Sequence, residues 1–137
     1  MASILVLDDQ VNILTYVSQA LRGLGHEVFA TTNPTEAYNL VAEKKPDLVV
    51  LDFQMPGASG SEVFAELRRY HRIPVLFITA YARDQADATE TQTQALEDAF
   101  NSGAVDILYK PFSVAALEEK IGALLGEEAD EEDTGAR

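Results

Sequence analysis

Cysteine is absent from the 137 residues. Its absence excludes disulfides, thiolate metal centres and cysteine nucleophiles, and it agrees with a reducing compartment. No apolar run approaches the roughly 18 residues that a membrane-spanning helix requires. The first nine residues, MASILVLDD, carry no basic segment and too short an apolar stretch for a secretory signal. A soluble, cytoplasmic protein with no membrane contact is expected. Basic residues are also scarce, 10 Lys and Arg against 23 Asp and Glu, for a formal charge of −13. Contact with nucleic-acid phosphates depends on clustered Lys and Arg, so direct nucleic-acid binding by this chain is not expected. Neither an internal repeat nor a composition break interrupts the chain before its last dozen residues.

The length predicts one domain, and a chain of this size can bury close to 70% of its unfolded surface. At 47% hydrophobic residues the composition is that of an ordinary globular protein. Segment 126–137 differs. Glu127, Glu128, Asp130, Glu131, Glu132 and Asp133 crowd it, and no large apolar side chain is present. Such a segment cannot bury enough surface to order itself. The expectation is a domain over residues 1–125 followed by an acidic, disordered tail or truncated linker, with an acidic docking segment as the sharper alternative.

Five short apolar runs, at residues 4–7, 28–30, 48–51, 75–78 and 107–109, alternate with five helical patterns. The third and fourth runs, Leu48-Val49-Val50-Leu51 and Val75-Leu76-Phe77-Ile78, are apolar at every position, the mark of strands buried on both faces. Between the runs, apolar residues recur at helical spacing: Leu14, Val17, Leu21 and Leu24; Ala37, Leu40 and Val41; Val63, Phe64 and Leu67; Leu96, Ala99, Phe100 and Gly103; and Leu117, Ile121, Leu124 and Leu125. Asn33-Pro34 supplies a helix cap and a first-turn proline, and Ser113 caps the last helix. Alternation of strand and helix predicts a three-layer, doubly wound α/β domain with a five-stranded parallel sheet and right-handed crossovers.

In open sheets of this class ligands bind beyond the carboxyl ends of the strands. Asp8 and Asp9 follow the first run and Asp52 the third, while Thr79 ends the fourth and Lys110-Pro111 the fifth. The second run ends in Thr31-Thr32 with nothing comparable, as suits an edge strand. Three carboxylates at one edge repel unless a cation lies between them or one keeps a proton. Hard oxygen ligands without His or Cys suit Mg²⁺. A carboxylate can act as a nucleophile and form an aspartyl phosphate, with a Lys neutralising the transferred group. His26 and His71 stand apart from any partner motif and read as surface residues.

This constellation resembles the receiver domain of bacterial two-component response regulators. The matching elements are Asp8-Asp9, Asp52 within Leu51-Asp52-Phe53-Gln54-Met55-Pro56-Gly57, Thr79-Ala80, Gly103-Ala104-Val105-Asp106 and Lys110-Pro111-Phe112, spread over roughly residues 3–125. The resemblance implies the flavodoxin-like strand order 2-1-3-4-5. It implies that Asp52 is the phosphoacceptor, served by a sensor histidine kinase or phosphotransfer protein. Asp9 would bind Mg²⁺ directly, Asp8 would hold a metal-bound water, and the backbone carbonyl of Gln54 would add a ligand. Lys110 would pair with Asp52 and then with the phosphoryl group. Thr79 and Tyr109 would form the switch. Gln54 and Tyr81 would tune phosphoryl lifetime, Tyr81 by shielding. Gly60 would ease the chain into the third helix, and the Lys110–Pro111 bond would be cis. The implied output is a change in the face formed by the fourth helix, fifth strand and fifth helix, which controls a partner or output domain and can form a homodimer. No turnover of an external substrate is implied.

Two departures stand out. The stretch from Thr79 to Lys110 is longer than the family's usual spacing by roughly two to three helical turns, with the extra, threonine-rich material at residues 83–93. It reads as a surface loop or an extended fourth helix. No basic output module follows the receiver pattern. Three other classes fit the residues less well. A Mg²⁺-dependent phosphohydrolase would carry an acid–base Asp where Gln54 stands. A flavodoxin-like cofactor binder would need a phosphate cradle where Asp8-Asp9 stand. A receiver that signals by binding alone would have no use for the acidic triad and Lys110.

Overall fold

The structure is a computed structural model, and residues 2–53, 60–79 and 105–126 are described. Five strands, β1 (Ser3–Leu7), β2 (Glu27–Thr31), β3 (Leu48–Asp52), β4 (Val75–Thr79) and β5 (Val105–Tyr109), alternate with helices α1 (Val11–Gly23), α2 (Pro34–Lys44) and α3 (Gly60–Tyr70) and close with α4 (Val114–Leu125). The sheet is wholly parallel in the order β2-β1-β3-β4-β5, as the resemblance implied. Each strand runs one or two residues beyond its apolar run, because backbone pairing continues after the hydrophobic pattern stops. Helix α4 corresponds to the fifth helical pattern. The fourth pattern, the 83–93 insertion, Gln54, Met55-Pro56-Gly57, Tyr81 and the acidic residues after Gly126 lie outside the described residues.

Side chains along a strand point alternately to opposite faces, and two cores result. Leu5, Leu7, Val49, Leu51, Val75, Phe77 and Ile107 meet Ala37 and Val41 of α2 and Val63, Phe64 and Leu67 of α3. On the other face, Ile4, Val6, Leu48, Val50, Leu76, Ile78 and Leu108 meet Val17 and Leu21 of α1 and Leu117 and Ile121 of α4. Every residue of β3 and β4 is buried, in agreement with their unbroken apolar runs. Each fully buried aliphatic or aromatic side chain contributes about 1.5–3 kcal/mol relative to exposure. Phe77 anchors the first core, its ring centroid 5.4 Å from Phe53 and 5.5 Å from Phe64.

Helix boundaries follow local chemistry. The Asn33 side chain accepts from the Thr35 and Glu36 N–H groups at 2.8 and 3.4 Å, with Pro34 opening α2. The Ser113 hydroxyl accepts from the Ala116 N–H at 3.0 Å. Helix α4 stops at Gly126, whose φ of 73° is a left-handed conformation that glycine adopts freely. His26 departs from its sequence reading: it is half-buried, and its Nδ1 accepts from the Ala2 N–H at 3.1 Å, because the turn into β2 lies against the start of β1. His71 is half-buried as well. Among the described residues no helix is long and apolar enough to cross a membrane.

Candidate functional site

Parallel register brings the carboxyl ends of the strands to one edge. Leu7 is level with Thr31 and Leu51, Asp52 with Ile78, and Thr79 with Tyr109. The residues just past each strand therefore gather there. Asp8 leaves β1 with its N–H donating to the Thr31 carbonyl at 3.3 Å. Its Oδ1 accepts from the Gln10 N–H at 2.9 Å, which fixes the carboxylate at the start of α1. Asp52 closes β3, and Thr79 closes β4. Asp8, Asp52 and Thr79 are 2%, 3% and 0% exposed. The Lys110 N–H donates to the Thr79 carbonyl at 2.8 Å, so the last β4–β5 pairing holds the lysine backbone beside the threonine.

The Lys110 side chain reaches back across this edge. Its Nζ lies 3.8 Å from Asp52 Oδ1 and 3.9 Å from Asp8 Oδ2, and it donates to Gln10 Oε1 at 3.3 Å. Carboxylate oxygens of Asp8, Asp9 and Asp52 all lie within 4.8 Å of one another. Among the described residues, the Lys110 ammonium thus faces the deeply buried Asp8 and Asp52, with Asp9 beside them. Burial pushes the Asp8 carboxyl above the usual carboxylate range. The Gln10 N–H, the Lys110 charge and a hydrogen bond with Asp52 pull it back, and the Asp9 charge adds to the rise. Asp9 is half-buried, and its Oδ1 is a buried oxygen with no hydrogen-bond partner among the described residues. An orphaned anionic oxygen is costly unless a cation satisfies it. An all-oxygen donor set with excess negative charge fits a hard divalent ion, so Asp8, Asp9 and Asp52 could hold one.

The third helix is pressed against the same edge. The Gly60 N–H donates to the Phe53 carbonyl at 2.8 Å. A Cβ on Gly60 would come within 2.6 Å of Phe53 Cα and closer still to the Asp52 carbonyl oxygen. Glycine is needed here for space beside the Asp52 backbone, a tighter requirement than the eased helix start expected from sequence. The Lys110–Pro111 peptide is cis, as the resemblance implied.

Residues 4–122 match the response regulator receiver domain. The chain belongs to the response regulator receiver family. Among its relatives are the phosphate regulon transcriptional regulatory protein PhoB of Pseudomonas aeruginosa, 32% identical over 126 residues covering 90% of this chain and 51% of the relative, and the transcriptional regulatory protein CrdR of Helicobacter pylori, 38% identical over 120 residues covering 86% and 52%. The receiver spans about half the length of these curated relatives. The chemotaxis protein CheY4 of Vibrio cholerae superposes with a TM-score of 0.77 at 26% identity, covering 90% of this chain and 98% of that one.

Of the residues singled out by sequence, Asp8, Asp9, Asp52, Thr79 and Lys110 converge in the receiver structure. Tyr109 lies at the same edge, level with Thr79, and is 36% exposed. Gln54 and Tyr81 fall outside the described residues. Sequence reasoning missed Gln10, which touches Lys110 across 100 residues of chain. Its place directly after Asp8-Asp9 was the available signal.

Proposed function

We propose that this receiver accepts a phosphoryl group on Asp52 and switches between two conformations. The observation that carries the reading is the Lys110 ammonium 3.8 Å from Asp52 in a pocket shared with the Asp8 and Asp9 carboxylates. An Asp52 carboxylate oxygen attacks phosphorus, the phosphorus–nitrogen bond of a kinase or phosphotransfer-protein phosphohistidine breaks, and the imidazole leaves. Lys110 neutralises charge on the transferred phosphoryl oxygens. Asp8, Asp9, Asp52 and the Gln54 carbonyl would hold Mg²⁺, which when bound supplies counter-charge and orients the donor. After transfer Thr79 turns to the phosphoryl group, and Tyr109, exposed in this structure, moves inward. The β5–α4 side thereby changes shape for an output partner, an output domain or a second copy of the chain. Gln54 and Tyr81 set how long the phosphoryl group persists. The kinase partner agrees with a cytoplasmic location. The length and names of PhoB and CrdR agree with control of a transcriptional output, and the charge of −13 argues against direct DNA contact by this chain. Asp52 is itself the group that is modified, and the receiver assists only its own phosphotransfer and dephosphorylation.

Intact mass after incubation with Mg²⁺ and acetyl phosphate tests the proposal. Wild type is expected to gain one phosphoryl group, and Asp52→Ala or added chelator to abolish the gain. A gain that survives Asp52→Ala would overturn the assignment.

A further inference from the structure

Lys110 carries its ammonium on backbone that is already fixed. The Lys110 N–H donates to the Thr79 carbonyl at 2.8 Å. Two residues on, the Phe112 carbonyl accepts from the Tyr16 hydroxyl of α1 at 3.3 Å, and the two ring centroids lie 5.9 Å apart. What this leaves to be set is the lysine's own four-carbon stem, which is rich in rotamers. The surrounding acids draw the ammonium inward, yet it stands 3.8 Å from Asp52 and 3.9 Å from Asp8, well beyond the roughly 2.7–2.9 Å of a charge-assisted hydrogen bond. It donates instead to Gln10 Oε1, at 3.3 Å. Gln10 is exposed, and the lysine side chain is 18% exposed against 3% for either acid, so this contact lies at the rim of the pocket.

Glutamine is an odd residue for the place it occupies. Gln10 is the N-cap of α1, a position that favours Asn, Asp, Ser or Thr, whose short side chains turn back on the first-turn N–H groups. The Gln10 side chain makes no such bond. Its backbone is held on both sides, the N–H donating to Asp8 Oδ1 at 2.9 Å and the carbonyl accepting from the Leu14 N–H at 2.9 Å. The amide therefore extends from a fixed base, forgoes the cap, and reaches a lysine 100 residues away in the chain. A local rule broken without local gain points to function. A neutral acceptor suits the task, because it holds an ammonium without adding a further charge beside three acids.

We propose that Gln10 is a positioning residue for phosphoryl transfer: its Oε1 holds the Lys110 ammonium at the pocket rim, off the Asp8 and Asp52 carboxylates. The acids then stay open to a divalent cation, and a phosphoryl group arriving on Asp52 meets an ammonium already in place. Without the acceptor the ammonium closes on Asp52, where it competes with the cation and covers the attacking oxygen. Gln10 touches no reacting atom and acts through Lys110. The role rests on the reading of Asp52 as phosphoacceptor.

Two variants separate this role from helix capping. Asn at position 10 is a better N-cap but one methylene too short to reach the lysine, whereas Met keeps the length and removes the acceptor. In Gln10→Asn and Gln10→Met alike, uptake from saturating acetyl phosphate, followed by intact mass, is expected to slow by about tenfold, within the range that misplacing a catalytic group costs. The Gln10→Asn melting midpoint should stay level or rise. The Mg²⁺ concentration that half-saturates the amide shifts of Asp9 and Phe53 should rise by about threefold in both, since a nearer ammonium repels the ion. In a Lys110→Ala background Gln10→Met should slow uptake no further, the non-additivity expected of a residue that acts through another. Normal uptake in Gln10→Met, a slowing that persists in the Lys110→Ala background, or an unmoved Mg²⁺ midpoint overturns the proposal. Full uptake in Gln10→Asn overturns it as well, because residue 10 is then a helix cap and nothing more. Asp52→Ala, run in parallel, keeps the two readings apart. Uptake that survives Asp52→Ala overturns both, while uptake lost in Asp52→Ala but normal in Gln10→Met overturns this one alone.

Discussion

The two edges of the sheet use charge in opposite ways. At the carboxyl edge, Asp8 and Asp52 are almost wholly buried, Lys110 stands 3.8–3.9 Å from both, and an Asp9 oxygen is orphaned among the described residues. At the amino edge, where α1, α2 and α3 end, Arg22, Lys44 and Arg69 are exposed in last turns that favour them. Charge at the amino edge costs the fold little. At the carboxyl edge it is held in a place that stability alone would fill with apolar or hydrogen-bonded groups. The difference marks the carboxyl edge as the place where chemistry outranks stability, and it makes the two edges respond differently to mutation.

The largest contrast is expected from Lys110→Ala. It should slow phosphoryl uptake from acetyl phosphate by about 10²–10³-fold, on the scale of losing one preorganised charge-stabilising donor, and in chelator it should also lower the thermal midpoint, because the buried Asp8 and Asp52 carboxylates lose the cation beside them. Time courses of intact mass measure the first effect and melting curves the second. Next comes Gly60→Ala. The new methyl meets the Asp52–Phe53 backbone, so stability should fall by about 1–3 kcal/mol, the usual cost of overpacking, with slower uptake because the Asp52 backbone must shift. Equilibrium urea unfolding would read the loss, and an unchanged midpoint would show that the close approach is relieved elsewhere.

Asp8→Asn sharpens the comparison through pH. Burial raises the Asp8 pKa in the folded protein, so the folded state binds this proton more tightly than the unfolded chain does. Ionised Asp8 therefore opposes folding at neutral pH, and the penalty is relieved as pH falls through the raised value. In chelator, Asp8→Asn should be the more stable protein at about pH 7 and lose its advantage towards about pH 4. With Mg²⁺ the order should narrow, because wild type gains more from the ion. Melting curves with and without the metal would show this, and a variant less stable in chelator at neutral pH would sink the account. The smallest effect belongs to the amino edge. Arg69→Gln removes an exposed i,i+3 pair with Glu66 and should change stability by less than about 0.5 kcal/mol.

Much of this was legible in the residues. The unbroken apolar runs of β3 and β4 announced strands buried on both faces, Asn33-Pro34 and Ser113 announced helix starts, and the polar residues directly after the apolar runs announced a site at one edge. Those signals are local, and local chemistry suffices to produce them. Gln10 was missed because nothing near it in sequence points to Lys110. Gly60 was given a helix-start role because a clash with the backbone at Asp52 and Phe53, reached across the turn from β3 into α3, cannot be seen in one dimension. His26 was placed at the surface because its partner, the Ala2 N–H, belongs to the neighbouring strand.

By itself, then, the sequence determined the alternation of strands and helices, the burial of the sheet on both faces, and which chemical groups stand at strand ends, since each depends on hydrophobic period and neighbouring residues. Tertiary structure alone decided that oxygens of Asp8, Asp9 and Asp52 lie within 4.8 Å of one another, and that Lys110 reaches Gln10 as well as the acids. Those facts depend on parallel register and on which strand lies beside which. Distances between residues a hundred positions apart exist only after the sheet has closed its backbone hydrogen bonds.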